Sequence, residues 1–216
     1  MPHIASLQFV SMNIDDQGTA ALHFRPRRPL GYLAGQHGLW LVPRGGVKPF
    51  TVASAPEEEF VTLGTSLNSQ SRFKRALVTL AVSSTVRLFG PIANFSLDRT
   101  APTVVMLAQG IGVTPFRSML RHQALSSADR YSTLIHVGAQ HPFRGDTEPA
   151  ATEAYYPTSH EAFIQHLAAA TVRHPDATFM ISGTPAFVRS TAAQLKATSI
   201  ESSQIRRDAF YGWSGS

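Results

Sequence analysis

The sequence contains no cysteine among its 216 residues. That absence excludes disulfides, thiolate metal sites, cysteine-ligated iron–sulfur clusters and a cysteine nucleophile. Charged residues are also scarce, at 15% against ~25% in an average domain. No apolar run approaches the ~20 residues that a membrane-spanning helix needs, and the N-terminus has no pattern of a secretory signal. These absences predict a soluble cytoplasmic protein without a membrane span.

The composition that is present fits a globular protein with a basic surface. Apolar residues make up 43% of the chain, enough for a packed core in one large domain or two smaller ones. Lys and Arg number 19 against 14 Asp and Glu. This balance is compatible with a solvated basic surface, an anionic cofactor or an acidic protein partner. No nucleic-acid-binding module accompanies the charge, so we expect no nucleic-acid partner.

The first half of the chain, residues 1–100, has the pattern of a β domain. Its apolar runs are short, often alternate, and are separated by Gly, Pro, Asn and Asp, which predicts a small antiparallel β-barrel. The predicted strands are Ile4–Val10, Thr19–Phe24, Leu39–Val42, Phe60–Leu63 and Val86–Phe89. One short helix is predicted over 71–77, with Ser71 as its N-cap.

The second half, residues 101–216, alternates strands with helices, and the boundary is expected near Asp98–Pro102. This βαβ pattern predicts an α/β domain with a doubly wound parallel sheet. The predicted strands are 103–108, 132–138, 177–182 and 208–211, and the predicted helices are 115–125, 160–172 and 185–197. The irregular stretch 139–159 is either a binding loop or a surface insertion.

A glycine-containing turn links the first strand and helix of this second half. Gly110 and Gly112 follow an apolar run and precede Thr114 and Pro115. Such a turn presents backbone N–H groups to a phosphate, and glycine permits the close approach. Thr114 is the expected N-cap, and Pro115 suits a first helical position. Alone, the turn is equally compatible with an ordinary strand–helix connection.

Four segments together carry a family resemblance. They are Lys48–Pro56, Gly90–Phe95, the glycine turn at 110–115, and Ile181–Val188 with the closing Phe210–Trp213. Their order and spacing resemble the ferredoxin–NADP reductase-like flavoproteins, over nearly the whole chain. That family pairs an antiparallel barrel that holds FAD with an α/β domain that binds NAD(P)H. We treat Gly90–Phe95 as a structural segment that closes the barrel.

The resemblance implies an FAD site in the barrel domain. The family's Arg-x-Tyr-Ser motif falls on Lys48, Pro49, Phe50 and Thr51. The basic residue would face the phosphates or the ribityl chain, the aromatic ring would pack on the isoalloxazine, and the hydroxyl would bond near flavin N5. Lysine departs from the motif because it lacks arginine's bidentate fork. The implied diphosphate site is Ser71, Arg72, Phe73 and Lys74, at the start of the predicted helix.

The resemblance also implies a site for a nicotinamide dinucleotide in the α/β domain. Gly110, Gly112, Thr114 and Pro115 match the family's nucleotide turn. The family's Cys-Gly-x-Pro motif appears as Ser182, Gly183, Thr184 and Pro185. Ser182 retains a hydrogen-bonding group beside the nicotinamide but offers no thiol. Trp213 either covers the flavin or anchors the last strand.

The implied activity is that of an FAD-dependent NAD(P)H oxidoreductase with Thr51, Phe50 and Ser182 at the catalytic centre. Hydride would pass from NADPH or NADH to FAD N5, and electrons would continue to a small molecule or a separate acidic carrier such as a ferredoxin or flavodoxin. Two alternatives stay open. One is a non-catalytic electron-transfer or sensor subunit, and the other is a flavin reductase that uses flavin as substrate.

Three smaller expectations concern charged and titratable residues. The nine histidines lack the spacing of a zinc site, so no metal site is predicted. Discrimination between NADPH and NADH is expected at Gly138–Arg144, where Arg144 favours a 2′-phosphate and where the stretch holds no acidic residue before Asp146 that would bind the ribose hydroxyls. The acidic run Glu57–Glu59 is interpreted as a solvated loop.

Overall fold

The computed structural model describes residues 3–16, 18–69, 71–92, 95–98, 100–127 and 129–210. The chain forms one antiparallel and one parallel sheet, which confirms the predicted fold class. Trp213 lies outside the described residues, as do residues 93 and 94 of the segment expected to close the barrel. None of the helices in the described ranges combines the length and apolarity needed to cross a bilayer.

The antiparallel sheet has six strands in the order β4-β3-β6-β1-β2-β5. Alternate residues along these strands point into a common core, which contains Trp40, Phe24 and Leu22. The short helix α1 (Arg72–Val78) closes this core with Phe73 and Leu77. The strands are β1 (His3–Ile14), β2 (Thr19–Pro26), β3 (His37–Val42), β4 (Gly46–Thr51), β5 (Val61–Ser66) and β6 (Thr85–Ile92).

The parallel sheet has five strands in the order β11-β10-β7-β8-β9, with its central strands buried on both faces. Such strands are continuous apolar runs rather than alternating ones. The strands are β7 (Thr103–Gln109), β8 (Tyr131–Val137), β9 (Glu153–Tyr155), β10 (Thr178–Gly183) and β11 (Ile205–Ala209). The helices are α2 (Thr114–Ser126), α3 (Arg144–Thr147), α4 (His160–Arg173) and α5 (Pro185–Ala197).

The structure differs from the sequence prediction mainly at sheet edges. Strand β4 was not among the predicted strands, and it lies at an edge, where its internal Pro49 is tolerated. The stretch 139–159 is not wholly irregular, because it contains α3 and the edge strand β9, which pairs with β8. The last strand begins at Ile205 rather than at 208, and its early residues Arg206 and Arg207 are exposed.

Helix α2 joins the two domains through a buried arginine. The Arg117 guanidinium donates to the Ala53 carbonyl at 2.8 Å, to Glu58 at 2.8 and 3.2 Å, and to Asp146 at 2.7 Å. Glu58 also accepts a hydrogen bond from the Ala55 N–H. The interpretation of Glu57–Glu59 as a solvated loop was therefore wrong for Glu58, whose side chain is only 17% exposed.

Candidate functional site

The end of strand β4 packs against helix α1. Phe50 stacks on Phe73 with ring centroids 5.2 Å apart and planes 19° from parallel. The Trp40 indole N–H donates to the Phe50 carbonyl at 3.2 Å. Since side chains alternate along a strand, Lys48 and Phe50 share one face of β4 and Thr51 lies on the other. The structure thus brings the Lys48–Thr51 motif next to the predicted diphosphate segment.

The start of helix α1 is capped as predicted. The Ser71 hydroxyl accepts the Lys74 N–H at 3.3 Å. The exposed Arg72 donates through Nε to the Arg44 carbonyl at 2.7 Å, so its side chain lies against the β3–β4 turn. Burial lowers the pKa of Lys74. These cations line the helix start, while Phe73 is a core residue that stacks on Phe50.

The glycine turn forms a 3-10 segment, Gly110–Val113, between β7 and α2. Gly110 has φ +51°, a conformation that favours glycine. A Cβ on Gly112 would lie 2.5 Å from the Ser182 carbonyl oxygen. The close approach of Gly112 to strand β10 therefore leaves no room for a side chain at this position.

Helix α2 begins differently from the prediction. Val113, not Thr114, occupies the N-cap position. Thr114 is buried, and its hydroxyl donates back to the Ile111 carbonyl at 3.1 Å, because the 3-10 segment runs directly into the helix. Pro115 lies in the first turn, where it needs no hydrogen-bonding partner for its nitrogen.

The loop after β10 is tied to the glycine turn by a glutamine that sequence reasoning missed. The Thr184 hydroxyl caps α5 by accepting the Phe187 N–H at 3.3 Å, and it donates to Gln109 Oε1 at 2.7 Å. Pro185 occupies the first turn of α5. A Cβ on Gly183 would approach Gln109 to 2.9 Å. The two predicted nucleotide loops, 110–115 and 182–185, therefore form one surface.

His136, at the end of β8, is hydrogen-bonded to the same glycine turn. Its Nε2–H donates to the Gly110 carbonyl at 2.8 Å. The side chain is fully buried, and burial lowers the pKa of His136 to about 4. The imidazole is therefore neutral near pH 7, with its proton on Nε2. Its position was identifiable only from strand pairing, in which His136 lies opposite Ala108.

The two domains also meet where β4 and β10 end. His37 Nε2 lies 3.2 Å from Asp208 Oδ1. His37 is paired with Thr51 across β3 and β4, and Asp208 is paired with Ser182 across β11 and β10. Phe210 donates its N–H to Gly183 and lies beside His37, with ring centroids 5.9 Å apart. The contact between the domains at this junction therefore joins the strand neighbours of Thr51 and Ser182.

Both predicted hydroxyl groups at this junction are buried. Thr51 is 4% exposed and Ser182 is 0% exposed. Neither hydroxyl oxygen has a hydrogen-bonding partner within the part of the chain that the structure describes. Buried polar groups are almost always paired, so each of these two hydroxyls retains an unused capacity for a hydrogen bond.

The residue expected to read a 2′-phosphate is already engaged. Arg144 donates to both carboxylate oxygens of Glu148, at 3.0 and 3.1 Å, and lies 4.4 Å from the centre of the Tyr156 ring. Asp146 bonds Arg117. The geometry thus leaves the choice between the two nicotinamide nucleotides open.

Solved structures of other proteins superpose on nearly the whole of this chain. A ferredoxin NADP+ reductase from Neisseria gonorrhoeae, solved with bound FAD and NADP, superposes with a TM-score of 0.79 at 16% identity and covers 96% of this chain and 99% of its own. The ferredoxin reductase in carbazole 1,9a-dioxygenase gives a TM-score of 0.82 at 17% identity, over 97% of this chain and 70% of its own. This chain has the ferredoxin–NADP reductase-like fold. No family model matches the sequence.

Curated relatives of this ferredoxin–NADP reductase-like chain are much longer proteins. One is the phenoxybenzoate dioxygenase subunit beta of Ectopseudomonas oleovorans, 32% identical over 91 residues, which are 41% of this chain and 28% of the relative. Another is the heavy chain of a superoxide-generating NADPH oxidase of Dictyostelium discoideum, 32% identical over 102 residues, 39% of this chain and 20% of the relative. The matches span about a quarter of each relative.

Proposed function

We propose that this protein is an FAD-dependent NAD(P)H oxidoreductase that passes hydride from a nicotinamide nucleotide to FAD N5 and electrons onward to a separate acceptor. One observation carries the proposal. The hydroxyls of Thr51 and Ser182 are buried without a hydrogen-bonding partner among the described residues, and their strand neighbours His37 and Asp208 are in contact across the two domains. A flavin held by one domain and a nicotinamide held by the other would meet there.

The barrel residues fit FAD. Lys48 and the start of α1, Ser71–Lys74, would hold the phosphates, because cations and free N–H groups favour anions. Phe50, fixed by Phe73, offers part of an apolar wall for the ring system. Thr51 would donate to or accept from the flavin ring near N5. FAD supplies the redox chemistry when bound, and the protein supplies position and electrostatics.

The α/β residues fit a nicotinamide dinucleotide. The turn Gly110–Val113 would bind the diphosphate through backbone N–H groups, and the loop Ser182–Pro185 would orient the nicotinamide. Ser182 would hydrogen-bond the carboxamide. NADPH and NADH are both candidate donors, because Arg144 shares its charge with Glu148 and would have to be released to meet a 2′-phosphate.

The proposed acceptor is an acidic carrier protein of the ferredoxin or flavodoxin kind, or a small molecule. The net charge of +5 supports an acidic partner, and so does the likeness in fold to the ferredoxin reductase in carbazole 1,9a-dioxygenase. We place the reaction in the cytoplasm. A flavin reductase is the second candidate, because Lys48 grips a diphosphate less specifically than arginine.

The first test is spectroscopic. Purified protein supplied with FAD is expected to retain flavin absorbance, which NADPH or NADH should bleach without oxygen. Thr51→Ala and Ser182→Ala should slow bleaching about 10-fold or more, while the exposed Ser190→Ala should not. A protein that stays colourless after FAD is supplied would overturn the proposal, and a flavin that exchanges freely with solvent would favour the flavin reductase.

The acidic carrier is tested by salt. Reduction of an acidic ferredoxin should slow several-fold as NaCl rises from about 50 mM to about 500 mM, because exposed charges are screened. Reduction of ferricyanide is the comparison for effects of salt on the flavin itself, since it needs no protein docking. A rate of ferredoxin reduction that does not change with the salt concentration would rule out electrostatic docking.

A further inference from the structure

A histidine–carboxylate contact joins the two domains. His37 Nε2 and Asp208 Oδ1 are 3.2 Å apart, and their side chains are 12% and 13% exposed. An imidazole with a proton on Nε2 donates to the carboxylate in either charge state. The second polar atom of each group, His37 Nδ1 and Asp208 Oδ2, is buried without a hydrogen-bonding partner among the described residues.

Strand registers connect this contact to the proposed hydride-transfer centre. His37 is directly opposite Thr51, and side chains opposite each other in an antiparallel pair have Cβ atoms about 5 Å apart. Asp208 is the neighbour of Ser182 in a parallel pair, and adjacent strands lie about 4.8 Å apart. The His37–Asp208 contact therefore joins the two domains one strand away from each of the two hydroxyl groups.

Stability alone is a poor explanation for this pair. A buried polar pair with unsatisfied atoms gains little over apolar side chains of similar size. The pair instead restricts how the two domains are oriented, because a hydrogen bond fixes a distance and an angle. Apolar contacts would allow the domains to slide against each other. The domains already have a larger polar junction at Arg117, on α2 rather than on the strands that carry the two hydroxyls.

We propose that His37 is a positioning residue which, through Asp208, holds the two hydroxyl groups, and thus the flavin and nicotinamide that they would bind, at their working separation. This inference rests on the proposed oxidoreductase function. Hydride transfer needs reacting atoms about 3–3.5 Å apart, and a displacement of 1 Å costs up to about 100-fold in rate. Loss of the pair should therefore affect the rate of flavin reduction more than the binding of FAD.

The kinetic test uses four variants of the FAD-loaded protein: His37→Leu, Asp208→Leu, the double variant, and His37→Gln, which keeps an N–H donor. Each single Leu variant is expected to slow anaerobic flavin reduction about 10- to 100-fold with FAD affinity within about 2-fold. The double variant should be no slower than the slower single one, and His37→Gln should recover part of the rate. His122→Leu is the matched control, because His122 pairs with Glu57 across the domains at an exposed position.

A second readout needs no cofactor. The chain has no cysteine, so Val82→Cys in the barrel and Val172→Cys on α4, exposed by 72% and 83%, allow one spin label in each domain. The distance distribution between the labels is expected to broaden or shift in His37→Leu and to stay narrow in His122→Leu.

Three results would overturn the inference: an unchanged reduction rate in His37→Leu, single-variant losses that multiply in the double variant, or a slowed rate with an unchanged label distance. The last two would mean that His37 acts on the bound molecules independently of Asp208 or without moving the domains. Failure of the underlying function is distinguishable, because the parent protein itself would then show no nucleotide-driven flavin reduction.

Discussion

At the scale of a single residue, His136 links the interior of the α/β domain to the glycine turn. Its ring is fully buried, its Nε2–H bonds the Gly110 carbonyl, and its Nδ1 has no partner among the described residues. Protonation of Nδ1 would place an uncompensated charge in the core. Burial consequently lowers the pKa of His136 to about 4, and the turn is best supported when this residue is neutral.

This lowered pKa predicts a loss of stability in mild acid. The unfolded chain, with an ordinary histidine pKa near 6.5, binds a proton at a higher pH than the folded chain does. The free energy of unfolding should therefore fall between pH 6.5 and 4, by about 2 kcal/mol from pH 7 to pH 5. Urea titrations at both pH values should show that His136→Gln removes most of this fall, whereas the exposed His160→Gln keeps it. The lowered pKa of His23 contributes equally in every variant. An unchanged fall in His136→Gln would therefore contradict the assignment of the acid sensitivity to His136.

The residues that could be predicted from sequence are those inside local motifs. Thr51 and Ser182 each belong to a short pattern, so their types and spacing point to a site. His37 and Asp208 are 171 positions apart, and they meet only because two strand registers and the packing of two domains coincide. No local pattern encodes such a meeting, and a lone histidine in a β-strand carries no signal of its partner.

At the scale of elements, the proposed nucleotide surface is formed by two strand–helix connections that contact each other. The turn after β7 and the loop after β10 touch through Gly112 and Ser182, and Gln109 bonds Thr184 across them. Both connections begin at the carboxyl edge of the parallel sheet, where open α/β sheets bind ligands. Their mutual packing leaves little freedom to either.

Gly112→Ala tests this contact. The added Cβ would lie 2.5 Å from the Ser182 carbonyl oxygen, so the two connections must separate. We expect a loss of about 1–3 kcal/mol in the free energy of unfolding and at least 10-fold weaker binding of the nicotinamide nucleotide, measured by calorimetry. Gly145→Ala is the control, because its Cβ would meet nothing within 4 Å. Equal behaviour of the two variants would show that the connections are not packed as described.

The helices and strands that were predicted most accurately are those whose apolar residues repeat regularly over the whole element. Helices α4 and α5 and strand β7 are bounded within one or two residues of the prediction, because each has a full buried face or a fully buried run. Strands β4 and β9 were missed because each lies at a sheet edge, half-exposed, and β9 has only three residues. For edge strands, the hydrogen bonds to a neighbour decide the structure, and the sequence does not display them.

At the scale of the whole molecule, helix α2 carries a polar junction between the two domains. Arg117 of α2 reaches the Ala53 carbonyl and Glu58 of the barrel, and the adjacent Ser118 bonds the Ser54 carbonyl and the Gly35 N–H. The Arg117 side chain is 7% exposed. The barrel and the α/β domain are thereby joined through one helix that begins at the glycine turn.

Arg117→Met should reveal how strongly the domains depend on this junction. Removal of the guanidinium leaves the Ala53 carbonyl without this donor, and the Glu58 carboxylate, 17% exposed, keeps Arg121 at 3.4 Å and the Ala55 N–H. Breaking a buried ion pair on one side costs up to about 3–5 kcal/mol, and the remaining partners of Glu58 should hold the loss near the lower end of that range, so the urea midpoint should fall and the domains should unfold in separate steps. Arg173→Met, which breaks the half-exposed pair with Glu153, should cost about 1 kcal/mol or less. Arg117→Met combined with Glu58→Leu should regain much of the loss, because the carboxylate that loses Arg117 is then removed as well. A double variant that is less stable still would mean that Glu58 stabilises the fold mainly through Arg121 and the Ala55 N–H rather than through Arg117.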